Sequence, residues 1–316
     1  MRRIATAGLV PLFALAAACG GDDGGSIDAG TDIDAMVLEN PGFPTPTMVT
    51  KANMNTGGVW TEVGDADWSC LNTPSADQPS TQAIALSGKI RDFQDSANGV
   101  RAATVTAFPG IMLSGSSGTA TSGDTAQTAG DYSMSLAMLP GGTTRFGFKV
   151  EATGYLKTYL LNQYFNPANA TQTRNIDAIS EGTANALPAL VGISRDPAKG
   201  VLAGALRDCA GHEVSNAVAT VSSTQGAVAH LTGAKTFYFS ATNGLPVRNS
   251  QAPVMSANGL FVVLELPPQT APAFIQVWGF RTAADLAAGT LTLLSELPSP
   301  VEANAVITGS FEPVRQ

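Results

Sequence analysis

Hydrophobic and polar residues alternate in short runs through most of the chain, and two groups of runs recur in the same order. Leu86-Ser87-Gly88-Lys89-Ile90-Arg91-Asp92 is followed by a polar turn and then by Gly99-Val100-Arg101-Ala102-Ala103-Thr104-Val105-Thr106-Ala107. Leu202-Ala203-Gly204-Ala205-Leu206-Arg207-Asp208, a turn, and Glu213-Val214-Ser215-Asn216-Ala217-Val218-Ala219-Thr220-Val221 repeat the arrangement. Gly88 and Gly204, like Asp92 and Asp208, are separated by 116 residues. Period-two alternation bounded by turn residues predicts two short strands joined by a hairpin-like turn in each copy, the opening of a β-sandwich. The Asp carboxylates at the two turns can bond nearby backbone N–H groups, which accounts for their recurrence without chemistry.

The first copy continues through a Gly/Ser/Thr-rich loop from Ser114 to Thr128. A strand follows, with Tyr132, Met134 and Leu136 on one face, and then another over Phe146–Ala152. The second continues with Thr236–Phe239, a long loop from Thr242 to Ser256, Asn258–Leu264, Phe274–Trp278, Thr290–Leu294 and Ala305–Ser310. Between the copies, Ser180 is placed to cap a short helix running to Leu190, with Ala184, Leu187 and Val191 on one face and Pro188 limiting its length. The order Gly-x-Ile-x-Asp, Gly-Val-x-x-Ala-x-Val-x-Ala, Gly-x-Tyr, Leu-Pro and Ala-x-Gly-Tyr resembles the carboxypeptidase regulatory-like domain, most of it over residues 82–158 and less closely over 201–280. That resemblance implies a prealbumin-type, immunoglobulin-like β-sandwich that accompanies zinc carboxypeptidases without being their catalytic part. The expected fold is all-β, with sandwiches at 81–165 and 201–316 joined by a connector at 166–200.

The amino-terminal part follows different rules. Arg2-Arg3 precedes an apolar run from Ile4 to Ala18, too short to span a bilayer and shaped like a secretory signal. Leu15-Ala16-Ala17-Ala18-Cys19-Gly20 resembles a bacterial lipoprotein box, with Ala16 departing from the commoner Leu. The resemblance implies cleavage after residue 18, acylation of Cys19 and anchoring in membrane lipid. Gly20 in place of Asp favours the outer membrane of a Gram-negative bacterium, facing either the periplasm or the surface. Residues 19–47 read as a flexible tether, acidic at first and then Pro-rich. Its Asp residues lack the spacing of a closed calcium loop. Residues 48–80 read as a segment packing on the body.

Composition narrows the partners. The net charge is −8 with no Lys/Arg cluster, so nucleic acid is not an expected partner. Of three cysteines, lipidation of Cys19 leaves Cys70 and Cys209, read as a disulfide in an oxidising compartment, with two free thiols the alternative.

Catalytic chemistry is hard to find. His212 and His230 are the only histidines, and His212-Glu213 lacks the second His of a zinc helix. Gly115-Ser116-Ser117-Gly118 is one residue short of a nucleophile elbow. No catalytic, metal or cofactor residues are assigned. Trp60, Trp68 and Trp278 are candidate sugar platforms, although paired tryptophans more often cap a sandwich or pack on a disulfide. Arg248 marks the Thr242–Ser256 loop as a candidate ligand surface. The expected function is a non-catalytic structural or adhesive module holding an envelope protein or polysaccharide. The alternatives are a carbohydrate-binding protein and a hydrolase whose site lies in the insertions of the second sandwich.

Overall fold

A computed structural model describes residues 45–79, 82–110, 113–137 and 145–315. Cys19, the signal-like run and the tether up to residue 44 lie outside the described residues. The fold is all-β. An amino-terminal hairpin, β1 (Lys51–Thr56) and β2 (Val59–Asp65), precedes the first repeat. That repeat comprises β3 (Ile84–Asp92), β4 (Thr104–Pro109), β5 (Gly118–Thr121), β6 (Asp131–Leu136), β7 (Arg145–Glu151), β8 (Lys157–Tyr164), β9 (Thr171–Thr173) and β10 (Ile176–Ala178). The connector carries helix α1 (Glu181–Ala189), where the Ser180 hydroxyl accepts the Thr183 N–H as expected of an N-cap. The second repeat comprises β11 (Gly200–Leu206), β12 (Glu213–Ser215), β13 (Val218–Ser222), β14 (Lys235–Phe239), β15 (Pro246–Val247), β16 (Leu260–Leu266), β17 (Ala273–Gly279), β18 (Thr292–Ser299) and β19 (Ala305–Phe311). Helix α2 (Ala283–Ala288) lies between β17 and β18.

The sequence repeat is also a repeat of strand pairing. In the first copy β3 runs antiparallel to β6 and parallel to β9 and β10, while β7 lies antiparallel between β4 and β8. In the second, β11 runs antiparallel to β16 and parallel to β19, while β17 lies antiparallel between β13 and β18. The shared glycines have shared reasons. A Cβ on Gly88 would strike the Arg174 carbonyl beside β9, and one on Gly204 would strike the Phe311 ring of β19. In both copies glycine is what lets the parallel strand close in. The residue before each buried alanine, Ala102 before Ala103 and Asn216 before Ala217, has left-handed backbone, with φ of 49° and 63°. Asn adopts that conformation more readily than Ala.

The two repeats share one sheet. Nine strands run in the order β15-β14-β16-β11-β19-β8-β7-β4-β5, with β19 parallel to both β11 and β8. Strand β8 therefore serves two cores. Tyr159 and Leu161 enter the second core with Leu202, Val263 and Ile307, whereas Leu160 packs on the first, around Ile90, Val105 and Phe148. Helix α1 and the chain after it cover the outer face of this sheet, with Ala184 beside Leu156 and Val306, and Val191 beside Phe237 and Val262.

The amino-terminal segment straps the body together. β1 pairs with β12 of the second repeat, and Cys70 forms a disulfide with Cys209 across 139 residues, Cα to Cα 5.7 Å. The Asn72 N–H donates to the Val314 carbonyl, and Asp77 meets Arg145 of the first repeat.

Candidate binding surfaces

The two repeat turns, built on the same Asp, differ in what they meet. Asp92 Oδ1 accepts the N–H groups of Gln94 and Asp95, and Asp208 Oδ1 accepts those of Ala210 and His212, so both carboxylates hold turns as the sequence suggests. Asp208 is completely enclosed, and its Oδ2 takes the Asp67 N–H at 3.0 Å, while the Cys209 N–H returns to the Asp67 carbonyl at 2.9 Å. In the first repeat the matching N–H, on Phe93, donates to Ala178 of β10. The amino-terminal segment thus completes the second repeat where β10 completes the first. Hydrogen bonds from Ser69, then the nearby His212 imidazole, hold the Asp67 carboxyl below its ordinary value against a small opposing effect of burial.

At the first turn a polar cleft of about 400 Å³ opens between Lys89, Asp92, Asn98, Arg101 and Tyr155. Burial and the hydrogen bond to Asp92 push the Tyr155 phenol up to about 12, so it stays a neutral donor. A smaller cleft of about 250 Å³ lies between Gln269–Pro272 and Pro300–Glu302. On its rim Glu302 accepts Lys157 Nζ and the Tyr159 hydroxyl, each at 2.6 Å. Burial favours protonating Glu302, but those two hydrogen bonds together with the Lys157 charge outweigh it and hold the carboxyl low. The first cleft lacks the apolar lining that usually buries a small ligand, while the second mixes Ala271, Pro272, Pro300 and Val301 with Gln269, Thr270 and Glu302.

The residues singled out from sequence do not form one surface. Trp278 is a correction: it is 5% exposed on β17, with its indole N–H 3.3 Å from Gln276 Oε1, and offers no open face to a sugar. Trp68, two residues before Cys70, packs against the second core and donates its indole N–H to the Thr50 hydroxyl at 2.9 Å, a structural placement beside the disulfide. Arg248 is half-buried in a loop that is tied down. Met255 exchanges backbone hydrogen bonds with Ala217 and Asn216 and is buried in the core, and the Arg248 carbonyl accepts from Gln251 and Ala252. His230 is likewise structural. Its Nδ1 accepts the Val221 N–H and its Nε2 faces the Ala234 carbonyl, both at 3.1 Å, which fixes a neutral ring. Among the described residues, no three His, Cys, Asp or Glu side chains converge as a metal site. Among the same residues, no helix is long and apolar enough to cross a membrane.

Trp60 leads to a surface the sequence reading missed. It is half-buried on β2, at the edge of the three-stranded sheet β12-β1-β2. Six large hydrophobic residues are exposed among those described. Four of them are Met48, Met54, Val59 and Val63, and three of these four lie on the β1–β2 hairpin. Met54 pairs with Thr61 and Thr56 with Val59, so Met54 and Val59 share a face, while Asn55, Trp60, Asn53 and Glu62 share the other. Val63 is the extra residue of a bulge facing Ala52 and Asn53. Two alternating runs flanking Gly57-Gly58 signal the hairpin itself, but nothing local tells that its turn end, from Met54 to Val63, stays largely exposed.

Compared with known proteins, the chain matches no family model and no curated protein sequence.

Proposed function

We propose that the protein is an exported, lipid-anchored component of a Gram-negative cell envelope, held at the outer membrane through Cys19, and that it acts as a non-catalytic structural or adhesive module. The observation that carries this reading is the β1–β2 hairpin, where exposed apolar residues coincide with a strand edge that no described strand pairs. Native proteins normally blunt or cover exposed strand edges, and an apolar edge left open is a recognised docking element for another chain. The lipoprotein-like box at Leu15–Gly20 supports the anchoring. The likeness of both repeats to a regulatory-like domain, which accompanies an enzyme without performing its chemistry, supports a binding role. The Cys70–Cys209 disulfide suits a compartment outside the cytoplasm.

Anchoring and adhesion are tested separately. Palmitate labelling of the full chain in a Gram-negative host is expected, and Cys19→Ala abolishes it; unlabelled native chain would refute the anchor. Saturable binding of the detergent-solubilised chain to purified envelope fractions is expected to weaken at least ten-fold in the Val59→Lys/Val63→Lys variant. Equal binding by the variant would remove the hairpin from the adhesive role.

A further inference from the structure

We propose that the acidic run at residues 28–34, outside the described residues, docks as an extended strand in the polar cleft of the first repeat, alongside Gly99 and with its carboxylates toward Arg101 and Lys89. The inference does not rest on the adhesive reading of the hairpin.

The second repeat shows what this cleft is shaped to hold. The Asp92 N–H meets the Asn98 carbonyl and Arg91 bridges Gly99; in the same way the Asp208 N–H meets the His212 carbonyl and Arg207 bridges Glu213. Asp92, Asn98, Gly99 and Arg101 of the cleft therefore correspond to Asp208, His212, Glu213 and Ser215. All four of the latter are covered by the chain's own residues 51–67. Strand β1 sets Asn53 against Glu213 and Lys51 against Ser215, the Asp67 N–H donates to Asp208, and the Asp67 carboxyl lies near the His212 ring. In the first repeat the same place is an open cleft. Gly99 faces Arg91 between two hydrogen bonds made by its neighbours, Asn98 accepting from Asp92 and Val100 donating to Ile90, so its own N–H and C=O point the other way. Among the described residues no hydrogen bond satisfies them or the Arg101 N–H.

The side chains select the occupant. Opposite Ser215 stands Lys51, and the next residue of β1, Ala52, is buried against Val214. In the first repeat Arg101 takes the place of Ser215 and makes no ion pair with a described residue, while Lys89 lies 3.8 Å from Asp131. Like charges directly opposite are destabilising and opposite charges stabilise. A strand such as β1 of a second copy, with Lys51 at that position, is thereby disfavoured, and an acidic residue followed by a small or apolar one is favoured. Residues 28–34 supply that pair twice, as Asp28-Ala29 and as Asp32-Ile33. Their period-two pattern places Asp28, Gly30, Asp32 and Asp34 on one side of an extended chain and Ala29, Thr31 and Ile33 on the other. No Lys or Arg occurs between Arg3 and Lys51 to oppose the attraction. The stretch from Asp34 to Thr45 reaches about 36 Å when extended, more than the ~30 Å diameter of a small domain. Covalent attachment also gives this short seam a high effective concentration.

Amide exchange of the full, detergent-solubilised chain, read by mass spectrometry over residues 98–102, tests the docking. Gly99 and Arg101 are expected to exchange at least ten-fold more slowly in the parent than in the Asp28→Lys/Asp32→Lys/Asp34→Lys variant. Arg101→Glu should remove the same protection at Gly99. Equal exchange in the parent and the triple variant, or protection of Gly99 that survives Arg101→Glu, would overturn the docking. So would protection that arises only when envelope fractions are added, which would give the cleft to a separate partner. Envelope binding through the β1–β2 hairpin is measured independently, so failure here leaves that reading standing.

Discussion

Replacing Arg145 by methionine tests how the chain ends are fastened to the first repeat. Arg145 lies at the start of β7. Its Nε and Nη2 donate to Asp77 Oδ2 at 2.8 and 2.5 Å, its Nη2 to Glu312 Oε2 at 2.8 Å, and its Nη1 to Asn162 Oδ1 at 3.2 Å. The guanidinium carbon also lies 5.6 Å from the centre of the Tyr164 ring. Burial disfavours the charge, but Glu312 and Asp77 outweigh it and raise the guanidinium pKa. Methionine keeps most of the stem and removes every donor. Breaking a buried pair costs ~3–5 kcal/mol, whereas an exposed pair is worth ~0–1 kcal/mol. Arg145 and Asp77 are each 19% exposed at the side chain, close to the buried case, while Glu312 at 43% regains water. The expected loss is therefore about 2–3 kcal/mol, nearly all of it from stranding Asp77. Urea unfolding followed by tryptophan fluorescence measures it, and Asp77→Asn supplies the second edge of a double-mutant cycle. In that background Arg145→Met should cost only about 1 kcal/mol, because the one carboxylate left beside it, Glu312, is exposed enough to regain water. A loss below about 0.5 kcal/mol, or the same loss in both backgrounds, would refute the clamp.

Three further outcomes follow from the same contacts. Cys70→Ser/Cys209→Ser should lower stability by about 4–5 kcal/mol in the chain-entropy account, given the long loop that the bond closes; an unfolding midpoint unmoved by the double substitution would contradict this. His230 is held below its ordinary 6.5 by burial, with the Ala234 carbonyl partly opposing. The unfolded chain therefore binds a proton first, and stability should fall as pH drops below about 6.5, by up to ~1.4 kcal/mol per unit until the folded ring also protonates. His230→Gln should flatten that slope between pH 7 and 5, and an unchanged slope would assign it to other groups. The Thr220 hydroxyl is 2% exposed at the residue and has no hydrogen-bond partner among the described residues, so Thr220→Val should stabilise by about 1 kcal/mol. A lower melting temperature would show that the hydroxyl is satisfied.

Features encoded within a few residues could be read from sequence. The Asp92 and Asp208 turns, the Ser180 cap and the inward faces of β3, β4 and β6 each follow from local alternation or from a side chain reaching its own backbone. The spacing of 116 residues supplied what one copy alone would not, because it marked Gly88 and Gly204 as one structural position. The shared sheet was illegible, since nothing in the run Ala-Val-Ile-Thr-Gly-Ser-Phe of β19 specifies which two edges it will join. Trp278 misled for a related reason. Its type suggested a sugar platform, but β17 is buried from Ile275 to Gly279 and β13, running alongside, is buried at every position. The Arg145 cluster joins charges 68 and 167 residues away, beyond any spacing rule. The β1–β2 hairpin can be read as a strand pair from its residues, but its free edge depends on what the other described residues leave uncovered.

The position of β19 bears on how the molecule can be made. It is synthesised after every other described strand, yet it is placed between β11 and β8 at the centre of the widest sheet. Until it arrives, each repeat ends in an unmatched parallel edge, and Tyr159, Leu161 and Leu202 lack their neighbour Ile307. A nascent chain stalled or clipped before residue 305 is therefore two half-closed pieces rather than a slightly shortened protein. Such late closure leaves the two repeats unlocked until the strand between them has been made. It also makes the final strand a checkpoint: a product lacking it would present two sticky borders to proteases.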